Sequence, residues 1–301
     1  MDSVFEEIYL KLIENCKSEV NKINSKKYKI LLTILLSLLV ANMIIVFLPN
    51  GRIYLSLSIP ITIALMLLFL VLANNYSRDN YKDVVIRNLV KLYDNKMYFD
   101  SKAGITQMDY KASNYDKKFN QYSSEDRIYG KIENGSNFQM SQVNAKDVHT
   151  NYYNGHSSTE SYDTFSGLYG IIRLEKNIMS KINVESDSHS RKYNKNRIEV
   201  DSAEFEKYYD LLADDRILAL KIFTPELIEK FNELKRDNKH RFELKIIEDK
   251  VYFRYWCGRE LFEPPSFKSS LDKEMLRKYF KIFYYPVELS KSLVININNI
   301  F

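Results

Sequence analysis

Side chains able to do acid, base or metal chemistry near neutral pH are sparse in this sequence of 301 residues. Its histidines are His149, His156, His189 and His240, and none has another histidine or a glutamate three or four residues away on a predicted helix. His149 and His156 share a polar stretch and are the pair best placed to hold a metal ion, although solvated loop histidines are far commoner. We therefore predict no metal site and no cofactor.

The two cysteines, Cys16 and Cys257, indicate neither a nucleophile nor a disulfide framework. Cys257 ends a predicted strand, where a thiol is usually a small core residue, and two cysteines so far apart are typical of a reducing compartment. The Gly-x-Ser-x-Gly motif of serine hydrolases does not occur, because Ser166-Gly167 lacks the first glycine. Pairing of a cysteine with a distant histidine through the fold stays open, but we predict no catalytic residue.

Carboxylates cluster between residues 199 and 215, where paired acids would suit acid–base or divalent-metal chemistry. The group comprises Glu199, Asp201, Glu204, Glu206, Asp214 and Asp215. An alternative is that these residues cap helices or lie on exposed helix faces. We favour this second, structural interpretation.

Basic residues gather at 191–197 and again at 235–241. A solvated loop, HSRKYNKNR at 189–197, accounts for the first group, and a helix C-terminus, where cations are favourable, accounts for the second. Their best functional interpretation is contact with anionic lipid. The net charge of +5 is modest for this length, so we do not predict nucleic acid as a partner.

The stretch DTFSGLYGIIRLEK (163–176) places Gly167 and Gly170 between a polar segment and an apolar run. A phosphate-binding loop needs its glycines between a strand and the N-terminus of a helix, whereas a strand-like run follows them here. The glycines are therefore predicted to permit a bend or bulge in a sheet, where Phe165 and Tyr169 pack and the backbone passes close to a neighbour.

Two runs without a charged residue, at 30–48 and 53–73, dominate the N-terminal part of the chain. Each has about the 20 residues that a helix needs to cross a bilayer. PNGR at 49–52, between them, is a turn-forming set. We predict a transmembrane helical hairpin, rather than a secretory signal or two buried helices of a soluble protein.

The predicted hairpin occupies residues 28–75, with spans at about 29–48 and 53–73. Basic residues lie before the first span and after the second, while the turn between the spans carries only Arg52. By the positive-inside rule, both termini then face the cytoplasm, which makes this a protein of the inner (plasma) membrane with two spans. Asn42, in the first span, is expected to join the two helices by a hydrogen bond.

Amphipathic helical segments at 1–27 and 76–95 flank the predicted hairpin. SVFE at 3–6 has the form of a capping box, which would begin the first of them. Because a hairpin brings the two segments together, we expect their apolar stripes to pack on each other. A helix lying flat in the membrane interface and a self-associating pair are the alternatives.

Residues 96–301 are predicted to form a cytoplasmic α+β domain, with helices packed on an antiparallel sheet. Alternation on both sides of an Asn-Gly turn signal predicts a hairpin at 127–148. A second hairpin is predicted at 242–257, turning at residues 248–249, and the polar segment 149–163 is predicted to be an exposed loop. Further short strands are expected at 168–174, 182–185 and 197–200.

Helix signals lie mainly in the second half of this domain. Capping residues precede predicted helices at 203–209 and from Pro225 to about 235, after Asp201-Ser202 and Thr224 respectively. Other helices are predicted at 214–223 and 271–285, and Pro286 is expected to begin a final short helix.

Several sequence segments carry a resemblance to a known family. The most specific are VDSAEFEKYY (200–209) and FSGLY (165–169), and the others, in matching order, are YGK (129–131), FQMSQV (138–143), LKIFTPEL (220–227), VY (251–252) and LFEP (261–264). Together they resemble the bacterial membrane-protein family called domain of unknown function 3137 (DUF3137), over roughly residues 80–297. The resemblance implies a two-span hairpin followed by a cytoplasmic α+β domain. It implies no activity and no site residues.

The sequence as a whole favours a non-enzymatic membrane protein held in the lipid bilayer. Its cytoplasmic domain is expected to bind a membrane or cytoplasmic protein, or the anionic membrane surface. The runner-up is a membrane-tethered enzyme acting on a lipid or envelope substrate, with its site at the acids of 199–215 or at 149–163. A pore component, which two spans could form only as an oligomer, ranks third, and homo-oligomerisation stays open.

Overall fold

The computed structural model describes residues 1–47, 51–116, 118–153, 156–186, 195–237, 240–259, 261–264 and 271–301, with the backbone alone for 51–57, 134, 151–153 and 156. These residues form two compact units. The helical unit comprises Met1–Leu92 and Phe262–Lys273, and the sheet unit comprises Tyr93–Leu261 and Glu274–Phe301.

The helical unit contains two long helices, α1 (Asp2–Val46) and α2 (Gly51–Tyr81). Both are long and apolar enough to cross a membrane by length and composition, and their most apolar windows are 0% and 6% buried inside the protein. Within the predicted PNGR turn, residues 49–50 lie outside the described residues, and α2 has already begun at Gly51.

Polar side chains join α1 to α2 within their apolar portions. Asn42 Nδ2 donates a hydrogen bond to Thr62 Oγ1 over 3.0 Å, and Asn42 Oδ1 accepts one from Ser58 Oγ over 2.9 Å. The expected role of Asn42 in joining the helices is therefore confirmed.

The N-terminal half of α1 buries the stripe Phe5, Ile8, Leu12, Cys16 and Val20. After α2 the chain continues through one π-helical turn (Lys82–Ile86) and α3 (Arg87–Tyr93). The Cys16 thiol donates to Val84 O over 3.6 Å, so the flanking segments pack on each other as expected. The predicted capping box is wrong, because α1 begins at Asp2 and Met1 makes no side-chain cap bond. Water can satisfy the first N–H groups at an exposed chain end.

The sheet unit is built on a seven-stranded antiparallel sheet with the order β1-β2-β3-β4-β6-β5, and with β7 also paired to β4. Its strands are β1 (Met97–Asp100), β2 (Gln121–Lys131), β3 (Asn137–Tyr153), β4 (His156–Ser186), β5 (Arg197–Ile198), β6 (Tyr209–Ala213) and β7 (Phe242–Tyr255). Strand β4 pairs with both β3 and β7 over residues 168–173, and with both β6 and β7 over 182–184. The α+β class is as predicted.

Five helices accompany the sheet: α4 (Gln107–Ala112), α5 (Ala203–Tyr208), α6 (Arg216–Ile222), α7 (Pro225–Asp237) and α8 (Lys273–Ile300). The sequence indicated the starts of α5 and α7 correctly. Ser202 Oγ accepts from Phe205 N over 3.3 Å, and Thr224 Oγ1 accepts from Leu227 N over 3.4 Å. Helix α6 begins two residues later than predicted, because Asp215 is its cap.

The hairpin predicted at 127–148 is confirmed, with a short 3₁₀ turn at Glu133–Gly135 between β2 and β3. The exposed loop predicted at 149–163 is wrong in its backbone. Strands β3 and β4 pair from Lys146↔Asp163 to Tyr153↔His156, which forms a two-stranded ribbon. Pairing continues from the sheet through backbone hydrogen bonds, which need no apolar side chains. The side chains of 157–163 are exposed, as expected of this segment.

The second predicted hairpin, at 242–257, is also wrong, because β7 runs as one strand from Phe242 to Tyr255. Its predicted turn is a local irregularity: Glu248 has a φ of 53°, and the register with β4 shifts on either side of its partner Ile178. The predicted strands at 168–174 and 182–185 are two parts of β4. One long strand can accommodate such a bulge while its partner continues beside it.

Pro286 does not begin a new helix, as was predicted, but lies inside α8. The helix buries residues on both sides of the proline, among them Phe283 and Val287, which are both 0% exposed. Continuous packing along one face outweighs the hydrogen bond that proline cannot donate. Strand β6, which the sequence did not indicate, separates α5 from α6.

The two faces of the sheet differ in their cover. On one face, Phe231 of α7 makes edge-on ring contacts with Phe205 and Phe242. On the other face, the segment 105–119, which includes α4, covers part of the sheet by packing Tyr110 against Phe165 and Tyr169.

Gly167 and Gly170 permit the close approach of β4 and β7 that the sequence suggested. A Cβ at Gly167 would lie 2.0 Å from Tyr255 O, and one at Gly170 would lie 2.1 Å from the ring of Phe253. A bulge in the pairing with β3 directly precedes them, and Phe165 and Tyr169 are both fully buried. These glycines form a packing site and not a phosphate loop.

Candidate functional site

The described residues contain no group of three or more His, Cys, Asp or Glu side chains arranged to hold a metal ion. His149 Nε2 lies 2.9 Å from Asp147 Oδ2 on the exposed ribbon. His240 contacts the edge of Tyr255, with the ring centroids 5.7 Å apart. The side chain of His156 and all of His189 lie outside the described residues.

Both thiols are poorly placed for nucleophilic chemistry. Burial raises the pKa of the Cys16 thiol to about 11 and that of the Cys257 thiol to about 12. Since the thiolate is the reactive form, the raised pKa values disfavour nucleophilic chemistry at both thiols near neutral pH.

The acids of the 199–215 cluster bind cations and cap helices. Arg197 Nε donates to Asp210 Oδ1 over 2.9 Å, and its Nη2 also donates to Glu206. Arg236 pairs with Glu204. The arrangement agrees with the structural interpretation of these acids.

Several residues of the two basic clusters are engaged within the protein, whereas Lys195 of the first cluster is exposed. Arg197 is paired as above, and residues 187–194, which include most of the predicted basic loop, lie outside the described residues. In the second cluster, Arg236 Nη1 lies 2.8 Å from Glu229 Oε1, and Arg241 pairs with Glu243.

A different site emerges from the register of the sheet, on the face that α4 covers only in part. The first row of direct cross-strand partners is Tyr98, Tyr129, Gln139, Ile171 and Tyr252, on β1, β2, β3, β4 and β7. A second row, two residues farther along each strand, is Lys131, Asn137, Arg173 and Lys250. Because strand side chains alternate between faces, both rows lie on the same face.

These two rows line a groove with a volume of about 850 Å³, which we call the sheet groove. Asn95, Lys96, Asp109, Arg127, Gly130 and Phe138 complete its lining. Every lining residue belongs to the sheet unit.

The sheet groove carries a strong excess of positive charge. Five cations line it, Lys96, Arg127, Lys131, Arg173 and Lys250, against the single carboxylate of Asp109. Within the described part of the chain, none of these cations forms an ion pair with a carboxylate. Arg127 Nε is buried and has no hydrogen-bond acceptor among the same residues. The groove is therefore suited to bind an anion.

Aromatic rings lie beside these cations. The rings of Tyr98 and Tyr129 are 5.6 Å apart at 31°, and the guanidinium of Arg127 lies 4.8 Å from the Tyr129 centroid. Tyr98 is 58% exposed and Tyr129 is 37% exposed, so both offer ring surface to a ligand. Burial raises the pKa of the Tyr252 hydroxyl, which keeps it neutral near pH 7.

Sequence reasoning missed the sheet groove, because its cations come from segments far apart in the chain. A signal was nevertheless present. Arg127, Tyr129 and Lys131 alternate cation, ring, cation on β2, and Lys250, Tyr252 and Arg254 repeat this pattern on β7. Such a pattern on one strand indicates a binding site only when the pairing of the strands is known.

Comparison with known proteins adds a family but no activity. The model of the family described as "Protein of unknown function (DUF3137)" matches residues 163–294, which confirms the predicted resemblance to DUF3137 over that part of the chain. No curated protein matches the sequence. The crystal structure of the mycobacterial trehalose monomycolate transport factor A, TtfA, is similar over 66% of this chain and 88% of that chain. Its TM-score is 0.35 at 4% sequence identity, and this likeness carries no argument about function.

Proposed function

We propose that this chain, whose residues 163–294 match the DUF3137 family model, is a non-catalytic binding protein anchored in the bacterial inner membrane. Helices α1 and α2 form the anchor, with both termini in the cytoplasm. The sheet unit binds an anionic partner, which is a protein or the anionic membrane surface. The observation that carries the binding role is the set of five cations in the sheet groove without carboxylate partners among the described residues.

Exposure of the apolar side chains supports the membrane anchor. Leu36, Val40 and Leu68 are 53%, 54% and 53% exposed, whereas the core helix of a soluble protein would bury such residues. Lys22, Lys26 and Lys29 are exposed on α1 just before its apolar run. Lysines at this position favour an anionic cytoplasmic leaflet.

A membrane-tethered enzyme acting on a lipid or envelope substrate is the weaker candidate. It would need convergent acid, base or nucleophilic groups in one pocket. The sheet groove contains one carboxylate, Asp109, and neither histidine nor cysteine among the residues that line it. No observation on the described residues favours this candidate over binding.

The topology is tested with reporter fusions in a bacterial host. Alkaline phosphatase fused after Phe301 should be inactive, and green fluorescent protein fused there should fluoresce, because the C-terminus is cytoplasmic. Alkaline phosphatase inserted between the two helices, directly before Gly51, should be active. The opposite pattern at Phe301 would contradict the proposed orientation.

The binding role is tested by purifying the full chain in mild detergent and identifying co-purifying proteins and lipids by mass spectrometry. A parallel purification uses the double variant Arg173→Gln/Lys250→Gln, and a matched control uses Arg216→Gln/Lys221→Gln on α6. A specific partner should be retained by the wild type and the control and lost from the groove variant. Equal recovery from all three would place partner binding outside the sheet groove and contradict the proposal.

A further inference from the structure

The sheet groove contains two kinds of binding surface side by side. The row with Lys131, Arg173 and Lys250 is called the cation row, and the row with Tyr98 and Tyr129 the tyrosine row. The rows are about 7 Å apart along a strand, and neighbouring strands are about 5 Å apart, so Arg173 on β4 is roughly 12 Å from Tyr129 on β2. One extended ligand with several phosphates can span this distance. The groove has a volume of about 850 Å³, which is in the range of sites for single small molecules.

Arg173 and Lys250 form the centre of the cation row. They are direct cross-strand partners on β4 and β7, so their like charges lie close together, an arrangement that costs stability unless an anion neutralises it. Asn137, the other cross-strand partner of Arg173, adds an amide, and Lys131 lies beyond it. Guanidinium and ammonium groups next to each other are well suited to phosphate oxygens.

The tyrosine row offers a surface for a planar ring. Tyr98 and Tyr129 present partly exposed rings at a small mutual angle. Exposed aromatic side chains on a sheet bind nucleobases by stacking, and neighbouring cations bind the attached phosphates. The sequence contains no glycine-rich phosphate loop, so the sheet itself must supply these contacts.

We infer that the sheet groove binds a soluble nucleotide-like ligand, with two or more phosphates on the cation row and a planar ring on Tyr98 and Tyr129. This inference rests on the proposed anion-binding role of the same groove and names a soluble ligand that would compete with the protein or membrane partner for the same cations. A phospholipid fits less well, because the apolar residues of the lining, Ile171 and Phe138, are 7% and 2% exposed and leave no surface for acyl chains. An acidic peptide fits less well, because carboxylates carry less charge per group than phosphates.

The test is isothermal titration calorimetry of the full chain in detergent micelles, with ATP, inorganic triphosphate and adenosine as separate probes. ATP should bind most tightly, triphosphate more weakly and adenosine least. Affinity for ATP should fall as salt is raised from 50 to 300 mM, because the groove attracts the ligand by its charge. Saturable ATP binding with the same affinity at both salt concentrations would contradict the role of the cations.

Variants separate the two rows. Arg173→Gln/Lys250→Gln should weaken both ATP and triphosphate binding by about tenfold or more. Tyr129→Leu should weaken ATP binding by about fivefold or more and leave triphosphate binding unchanged. Arg216→Gln/Lys221→Gln removes one exposed arginine and one exposed lysine on α6, and it should change neither ATP binding nor triphosphate binding. Thermal unfolding of each variant, compared with that of the wild type, excludes loss of folding as the cause.

Three further outcomes would overturn the inference. The first is that the wild type shows no detectable ATP binding, while the partner that co-purifies with it is still lost from the Arg173→Gln/Lys250→Gln variant. In that case the proposed function stands and only the ligand class is wrong. The second is groove-dependent binding to vesicles of phosphatidylglycerol and phosphatidylethanolamine, or to single-stranded RNA, with no binding of ATP. The third is no groove-dependent binding to any probe or partner, in which case the proposed function fails as well.

Discussion

Arg254 and Lys250 lie on the same strand, β7, and on the same face of the sheet, with Tyr252 between them. Arg254 lies in the half of the face that the segment 105–119 covers, and its side chain is 10% exposed. Its Nε donates to Glu243 Oε2 over 2.5 Å, and its Nη1 donates to Asp116 Oδ1 over 2.9 Å. Lys250 lies in the open half, where it pairs across the strands with Arg173 and has no carboxylate partner among the described residues.

The difference between these halves follows from the cost of burying charge. A buried cation must be paired and hydrogen-bonded, because its desolvation otherwise outweighs the gain from packing. The covering segment supplies Asp116, and it also brings the Tyr115 ring to 4.4 Å from the Arg254 guanidinium. In the open half, water can solvate the side chains of Arg173 and Lys250, so they can stay without protein partners and be available to a ligand. Charge therefore serves stability in one half and binding in the other.

The largest effect is expected from breaking the buried network. Arg254→Met should lower the free energy of unfolding by about 3 kcal/mol, because Glu243 and Asp116 stay buried without this cation. Urea unfolding of the full chain in detergent, followed by the fluorescence of the single tryptophan, Trp256, measures the change; Trp256 lies 5.2 Å from the Arg254 guanidinium. Arg216→Met, at an exposed position, is the control, and an equal loss in both variants would refute the distinction.

A smaller loss of stability is expected at Gly167, where β4 pairs with β7 in the covered half of the sheet face. Gly167→Ala should lower stability by about 2 kcal/mol, because its Cβ would lie 2.0 Å from Tyr255 O and 2.9 Å from Cys257 N, both backbone atoms. The same urea experiment measures it. Gly135→Asn is a suitable control, since its nearest neighbour would lie 3.8 Å away and Asn tolerates a positive φ. A Gly167 variant as stable as this control would mean that the strands can separate freely.

Local signals in the sequence predicted much of this framework. Ser202 and Thr224 mark helix starts through short-range hydrogen bonds, and the Asn-Gly signal marks a tight connection between β2 and β3. These features depend on neighbours a few residues away, which a single sequence displays. The family-matched stretch around Gly167 likewise predicted close strand approach, though not which strand would approach.

Features that depend on distant partners could not be predicted in the same way. Alternation at 242–257 fits one long strand or a hairpin equally well, and only the presence of β4 alongside decides for one strand. The ribbon at 149–163 is polar, so its pairing has no hydrophobic signature. The sheet groove combines cations from β2, β4 and β7, and its existence depends on a register that no local pattern specifies.

In the open half, removal of charge should have the opposite sign from Arg254→Met. Arg173→Gln/Lys250→Gln should raise stability by about 0.5 kcal/mol, because like charges on directly opposed residues repel. The gain should shrink at high salt, where the repulsion is screened. Urea unfolding at low and high salt measures both effects, with Arg216→Gln/Lys221→Gln as the control. A loss of stability in the groove variant would show that these cations stabilise the fold, and would contradict the proposed difference between the covered half and the open half.

The smallest effect on stability is expected at Glu185 of β4, a partly buried carboxylate that has the carboxylate of Glu243 nearby. Burial, and next the nearby carboxylate of Glu243, raise the pKa of Glu185 above its usual value of 4.5. Because the pKa of Glu185 is higher in the folded state than in the unfolded state, the protonated carboxyl contributes to stability. This contribution is fully present at pH below 4.5 and is lost as pH rises through the folded-state pKa. Glu185→Gln should therefore gain stability relative to the wild type as pH rises from 4 to 7. Unfolding in urea across this range measures it, and Glu175→Gln, an exposed glutamate of the same strand, controls for loss of a charge. The same pH trend in both variants would assign the effect to net charge and not to the surroundings of Glu185.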